Sequence, residues 1–171
     1  MVFAATLGLV PEVWAQPPNA EEYTVKTAFI FNFAKFTEWP DESFPEESSP
    51  MTICILGVDP FGTTLDAIRS KMVGNRKTVV KQISGIEEMN ACHILFISDS
   101  ERERLTPILE TARKVHVLTI SDMGRFDRSG GMILLFRDGD KIRFSINAGA
   151  AKRAGIKLSS QILKLAVTVK E

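Results

Sequence analysis

The strongest constraint on the fold is a change of rhythm along the chain. Between residues 52 and 120, short apolar runs alternate with segments of helical character. Residues 52–56, 77–83, 92–97 and 115–120 read as strands, and residues 61–72 and 100–112 read as helices between them. Strands that are apolar on both faces have to be covered on both faces, which points to a mainly parallel sheet in an α/β domain. The 92–97 run is apolar throughout and is expected at the centre. After residue 130 the pattern becomes that of a hairpin. Residues 132–136 and 141–146 flank Arg137-Asp138-Gly139-Asp140, and Asp-Gly between two such runs favours a tight turn. In the second of these strands Ile142, Phe144 and Ile146 fall on one face, and Lys141, Arg143 and Ser145 on the other. The expected fold is a single α/β domain with a roughly six-stranded, mainly parallel sheet, a C-terminal antiparallel hairpin and about five flanking helices.

The helices carry their own punctuation. Glu21 and Glu22 suit the positive end of a helix over residues 23–40, which Pro40 is expected to stop. Phe29, Phe33 and Phe36 repeat along it at helical spacing, a face to be buried in the core or against a partner. Asp59 is expected to cap the 61–72 helix, and Ser100 with Glu103 reads as a capping box. Asn147 is expected to cap a short helix over 148–154 that ends at Gly155, and Ser159 or Ser160 a last helix through Ala166.

Residues 2–10 are almost wholly apolar, and Val13 and Ala15 stand at −3 and −1 of a plausible cleavage before Gln16. Residues 1–15 are therefore expected to be a signal peptide with a truncated start. Residues 16–22 follow as a linker and residues 23–171 as the domain. No other stretch approaches the roughly 18 apolar residues of a membrane span, so the mature protein is expected outside the cytoplasm and not itself membrane-spanning. The two cysteines, Cys54 and Cys92, allow one disulfide in that compartment. Both sit in apolar strand-like runs, and two buried thiols fit the pattern equally well.

Basic and acidic residues balance at 21 each, yet the halves differ: residues 1–66 hold 10 acidic and 2 basic side chains, residues 137–171 hold 3 and 8. No Lys/Arg run or aromatic platform accompanies the basic end, which argues against nucleic acid. Catalytic signals are weak. The two histidines, His93 and His116, lie inside strand-like runs, and no G-x-S-x-G elbow is present. Cys92 and His93 are consecutive strand residues and point to opposite faces, so they cannot pair. Metal-ligand spacings are missing. The expectation is no enzyme, no cofactor and no metal. Binding surfaces remain: the carboxyl ends of the strands near Gly57-Val58, Ser98-Asp99 and Ser121-Asp122, where α/β sheets hold ligands, and the polar face of the hairpin around Arg143.

Several segments then act together: YTVKTAFIFNFAKFTEWP (23–40), CILGVDPFG (54–62), CHILFISDSE (92–101), VLTISDMGRF (117–126), GGMILLF (130–136) and IRFSINAGAAKRAGIKLSSQILKLA (142–166). The chain resembles the YfiR-like family of exported bacterial proteins over nearly all of the mature sequence. The resemblance implies a periplasmic α/β domain that represses an inner-membrane signalling protein, in the namesake a diguanylate cyclase, by binding its periplasmic domain. It also implies a possible outer-membrane lipoprotein partner, a homodimer and small aromatic ligands. Cys54 and Cys92 correspond to one of the namesake's two cysteine pairs; the second pair is absent here. The resulting expectation is a non-enzymatic contact regulator in cyclic di-GMP signalling, with Arg143, Asn147, Lys157 and Gln161 as exposed partner-binding residues. The alternative is a periplasmic small-molecule-binding protein.

Overall fold

A computed structural model describes residues 19–171. The expected signal peptide and the first three linker residues lie outside the described residues. The linker's end does not stay extended: helix α1 opens at Ala20 and runs over Ala20–Lys35, with Glu21 and Glu22 in its first turn. It stops well before Pro40. Thr37 and Glu38 are drawn into strand β1 (Thr37–Glu38), which pairs antiparallel with β9 (Lys157–Leu158).

The main sheet has eight strands. In chain order they are β2 (Met51–Leu56), β3 (Met72–Val73), β4 (Arg76–Ile83), β5 (Ile94–Ile97), β6 (Leu118–Ser121), β7 (Ile133–Asp138), β8 (Lys141–Asn147) and β10 (Thr168–Lys170). In space they run β10-β8-β7-β6-β5-β2-β4-β3. The stretch from β4 to β7 is parallel throughout, and β5 is fully buried near its middle. β7 and β8 form the expected hairpin, closed by a two-residue turn in which Gly139 takes a φ of 63°, open to glycine at no steric cost. The sheet is thus wider than the six strands expected. The additions are edges: β3, and β10 laid parallel against β8.

Three α-helices follow α1: α2 (Leu105–Lys114), α3 (Ala148–Arg153) and α4 (Ser160–Leu165). Asn147 caps α3 by accepting the Ala150 N–H at 2.9 Å, and Ser159 caps α4 by accepting from Ile162 at 3.4 Å. Two other helix signals resolve differently. The 61–72 segment holds only a 3-10 turn at Thr64–Ala67, because Gly62 and two β-branched threonines begin it poorly. Asp59 accordingly accepts the Phe61 N–H at 2.8 Å in a local turn and caps no helix. Ser100 turns its hydroxyl to the Val58 N–H at 2.9 Å instead of closing a capping box, so the 99–104 segment is 3-10 and the α-helix waits until Leu105.

The sheet separates two apolar cores. On one face Ile53, Phe96, Ile120, Leu135 and Phe144 pack under α1, α3 and α4. On the other, Leu56, Leu95 and Ile97 pack against Ile108 of α2, Met123 and Phe126. Cys54 and Cys92 belong to this second core and form a disulfide, their Cα atoms 5.8 Å apart. This settles the alternative between bond and buried thiols.

Candidate functional site

The carboxyl ends of the parallel strands are the usual ligand crevice of such a sheet. Here their polar groups are already engaged. Gly57 O accepts from Gln82 at 2.7 Å, and Ser121 Oγ donates to Ile97 O at 2.6 Å and accepts the Met123 N–H. Asp122 is covered by the first turns of α1. Its Oδ2 accepts from the Tyr23 hydroxyl and from Lys26 Nζ, both at 2.7 Å, and Lys26 also reaches Glu22 at 2.5 Å. Lys26 is only 3% exposed. Burial first, then the bond to Asp122 and the nearby carboxylate charges, push the Tyr23 phenol well above its usual range. The cluster joins residues 96 or more positions apart and fastens α1 across the strand ends.

The four residues singled out from the sequence do not form one site. Arg143 is exposed on β8 and pairs with Asp138 at 2.8 Å across the hairpin. Its cross-strand neighbours Phe136 and Leu134 point to the α2 side of the sheet, where Leu134 meets the second core. Gln161 stands on α4, on the opposite side, over the α1 core. Lys157 is exposed on the β1–β9 ribbon and faces Glu38 at 3.4 Å. Asn147 is not exposed. It is 5% accessible, because its Oδ1 caps α3 and its Nδ2 donates to Asp127 O at 2.9 Å. Its work is to fix α3. The hairpin's polar face is likewise only partly open: Ser145 is buried and donates to Asp127 at 2.8 Å.

Gln161 does sit beside something the sequence reading did not isolate. α1 and α4 flank a hole of about 180 Å³ walled by Phe29, Phe33, Phe36, Phe144, Ile162 and Leu165, with the Asn32 and Gln161 amides also lining it. Of the eight large hydrophobic side chains left exposed among the described residues, five belong to this side: Val25 of α1, Phe36 just past its end, Leu165 of α4, and Val167 and Val169 beyond it. Leu165 is 73% exposed and Phe36 36%. Phe29 also opens onto a groove of about 610 Å³ between α1 and the hairpin, where Val25 and Ile142 are ringed by Glu22, Arg137 and Lys141. The aromatic spacing of α1 was the available signal. Phe33 is buried as a core residue, whereas Phe29 is half-buried and Phe36 remains outside.

A family model described as YfiR/HmsC-like matches residues 23–167. The chain belongs to the YfiR/HmsC-like family. The match begins within α1 and ends just past α4, so it contains the Lys26–Asp122 pair and every residue lining the α1–α4 hole, with Val169 beyond its end. Among solved structures, a conserved domain protein from Vibrio cholerae is similar with a TM-score of 0.53 and 10% identity, over 84% of this chain and 60% of that one. The ABC domain in complex with L-Trp from Streptococcus pneumonia gives a TM-score of 0.49 and 11% identity, over 70% and 55%. The chain thus spans little more than half the length of these two structures, and the Vibrio likeness shows the fold alone.

Proposed function

We propose that this YfiR/HmsC-like protein is a periplasmic regulator that docks on the periplasmic domain of an inner-membrane signalling protein, a diguanylate cyclase or similar, and represses it. The family is one of periplasmic regulators, and among the described residues no helix is long and apolar enough to cross a membrane. The observation that carries the reading is the α1–α4 hole, with exposed Phe36 and Leu165 on its walls and exposed Val167 two residues beyond Leu165. Clustered exposed hydrophobics of this kind mark contact surfaces. The hole matches a partner's side chain better than a free ligand, since small-molecule pockets usually enclose ~300–1,000 Å³. Repression then requires that this face bind the partner's inactive state more tightly than its active state.

The second reading, a small-molecule binder, rests on the same hole, whose aromatic walls and two amides would suit a small planar ligand. Calorimetric titration into the periplasmic domain of the signalling protein encoded beside this one separates them. Saturable binding that Leu165→Glu weakens supports the contact regulator. Absence of binding between two folded proteins, with a ligand-induced rise in melting temperature, supports the binder.

A further inference from the structure

The chain's two histidines contact adjacent residues of one loop, Ser43 and Glu42, with the proton of the neutral ring on opposite nitrogens. The loop spans residues 40–50, between β1 and β2. His93, 7% exposed, precedes β5. Its Nδ1 lies 3.1 Å from the Thr52 N–H. A backbone amide can only donate, so this nitrogen carries the lone pair. The ring's single proton is then on Nε2, which donates to Ser43 O at 2.9 Å. Phe44 stacks flat on the ring, centroids 4.2 Å apart and planes within 9°. The Arg76 guanidinium lies 3.8 Å from the Phe44 centroid and donates to the carbonyls of Glu46, Glu47 and Ser49.

His116 is arranged the other way. Its Nδ1 is 2.7 Å from Ala154 O and must hold a proton. In the neutral ring its Nε2 therefore turns a lone pair toward Glu42 Oε1, 3.3 Å away. Only the imidazolium makes that contact an ion pair.

We propose that the 40–50 loop is held by a proton-operated clamp: neutral His93 links Ser43 of the loop to the Thr52 amide of β2, and mild acid breaks that link and frees the loop. A proton on His93 Nδ1 sets two N–H donors against each other, and no covalent bond changes. Of the charged groups around His93, Arg76 faces it across Phe44. Glu42 is turned to His116, Glu46 accepts from Ser48 at 3.4 Å, and Glu38 and Lys157 of the β1–β9 ribbon pair with each other. Burial holds His93 below the ordinary histidine value; the Ser43 bond opposes this and the Arg76 charge adds to it. The clamp needs no partner and is tested on the protein alone.

The test is amide hydrogen exchange, corrected for intrinsic rates, at about pH 7.5 and about pH 5.5. Protection at Phe44, Ser49 and Thr52 should fall in acid by up to about tenfold per pH unit, while the β5 amides hold. His93→Gln should leave the loop unprotected at both pH values, and His116→Gln should keep the acid response. Ring nitrogen spectra of the wild type should show His93 as the Nε2–H tautomer at neutral pH, a readout that survives even if a variant fails to fold. Loop protection unchanged by pH, an equal loss in β5, a His93→Gln protein that keeps the response, or an Nδ1–H tautomer would each overturn the clamp.

Discussion

Replacing Cys54 and Cys92 together with alanine opens a ring that the native disulfide closes across a sequence separation of 38. In the chain-entropy description, a closed loop of about 39 residues removes about 13 cal/mol/K from the unfolded ensemble, or about 4 kcal/mol at room temperature. Both cysteines are buried in the core that also holds Leu95, Ile108 and Phe126, so losing two sulfur atoms adds a small packing cost. For a domain of this size each kcal/mol moves the melting temperature by about 2–4 °C, so the expected fall is about 8–16 °C. Calorimetric melts of the oxidised wild type and the double variant at one scan rate give the difference. Reduced wild type serves as the second arm, since it keeps the sulfur atoms and loses only the bond. Reduced protein melting within about 2 °C of the oxidised form would refute the loop-entropy reasoning. That result would mean the unfolded chain already keeps β2 near residue 92.

Other expectations follow from the same geometry. Lys26→Met leaves the Asp122 carboxylate without its cation, while Glu22 keeps Arg137 at 3.6 Å, and should cost about 3 kcal/mol in denaturant unfolding, the low end for stripping one partner from a buried pair. Asn147→Ala should cost about 1 kcal/mol or somewhat more, because it uncaps α3 and orphans the Asp127 carbonyl. His93 is held below its unfolded value, so the unfolded chain takes up its proton first. Its contribution to stability is complete above about pH 6.5 and is lost as pH falls toward the folded value, at most about 1.4 kcal/mol per pH unit. Urea midpoints for wild type and His93→Gln across that range should converge in acid. Leu165→Glu should leave the melting temperature within about a degree and weaken partner binding at least about tenfold, since the side chain is exposed and central to the apolar side. Unchanged binding would remove Leu165 from the interface.

The central strands were readable because a strand buried on both faces has no freedom in composition: β2 and β5 are apolar at almost every position. The hairpin and the Asn147 and Ser159 caps were readable because turn and cap chemistry is local. What escaped is set by distant pairing. Thr168–Lys170 is three residues long with only Val169 apolar, and it becomes a strand only because β8 lies beside it. Thr37 and Glu38 leave the helical pattern for the same reason. The site followed suit. Gln161 lines the α1–α4 hole, but Arg143 was grouped with it by nearness in sequence, and the sheet sets them on opposite sides. No local signal announces the Lys26–Asp122 bond, whose partners are 96 residues apart. Whether Phe36 or Leu165 is covered depends on what stands opposite, which periodicity does not encode.

The apolar side is made from the first helix and the last, joined by the β1–β9 ribbon and by the Ser159 N–H donated to Phe36 O. Neither half offers the full surface alone. During synthesis the N-terminal helix has to wait for roughly 120 more residues before α4 can meet it, so the hole between them is among the last features to exist. A partner that reads this surface therefore reads completion. Under the proposed docking, a chain cut within the sheet would present half a surface and fail to bind.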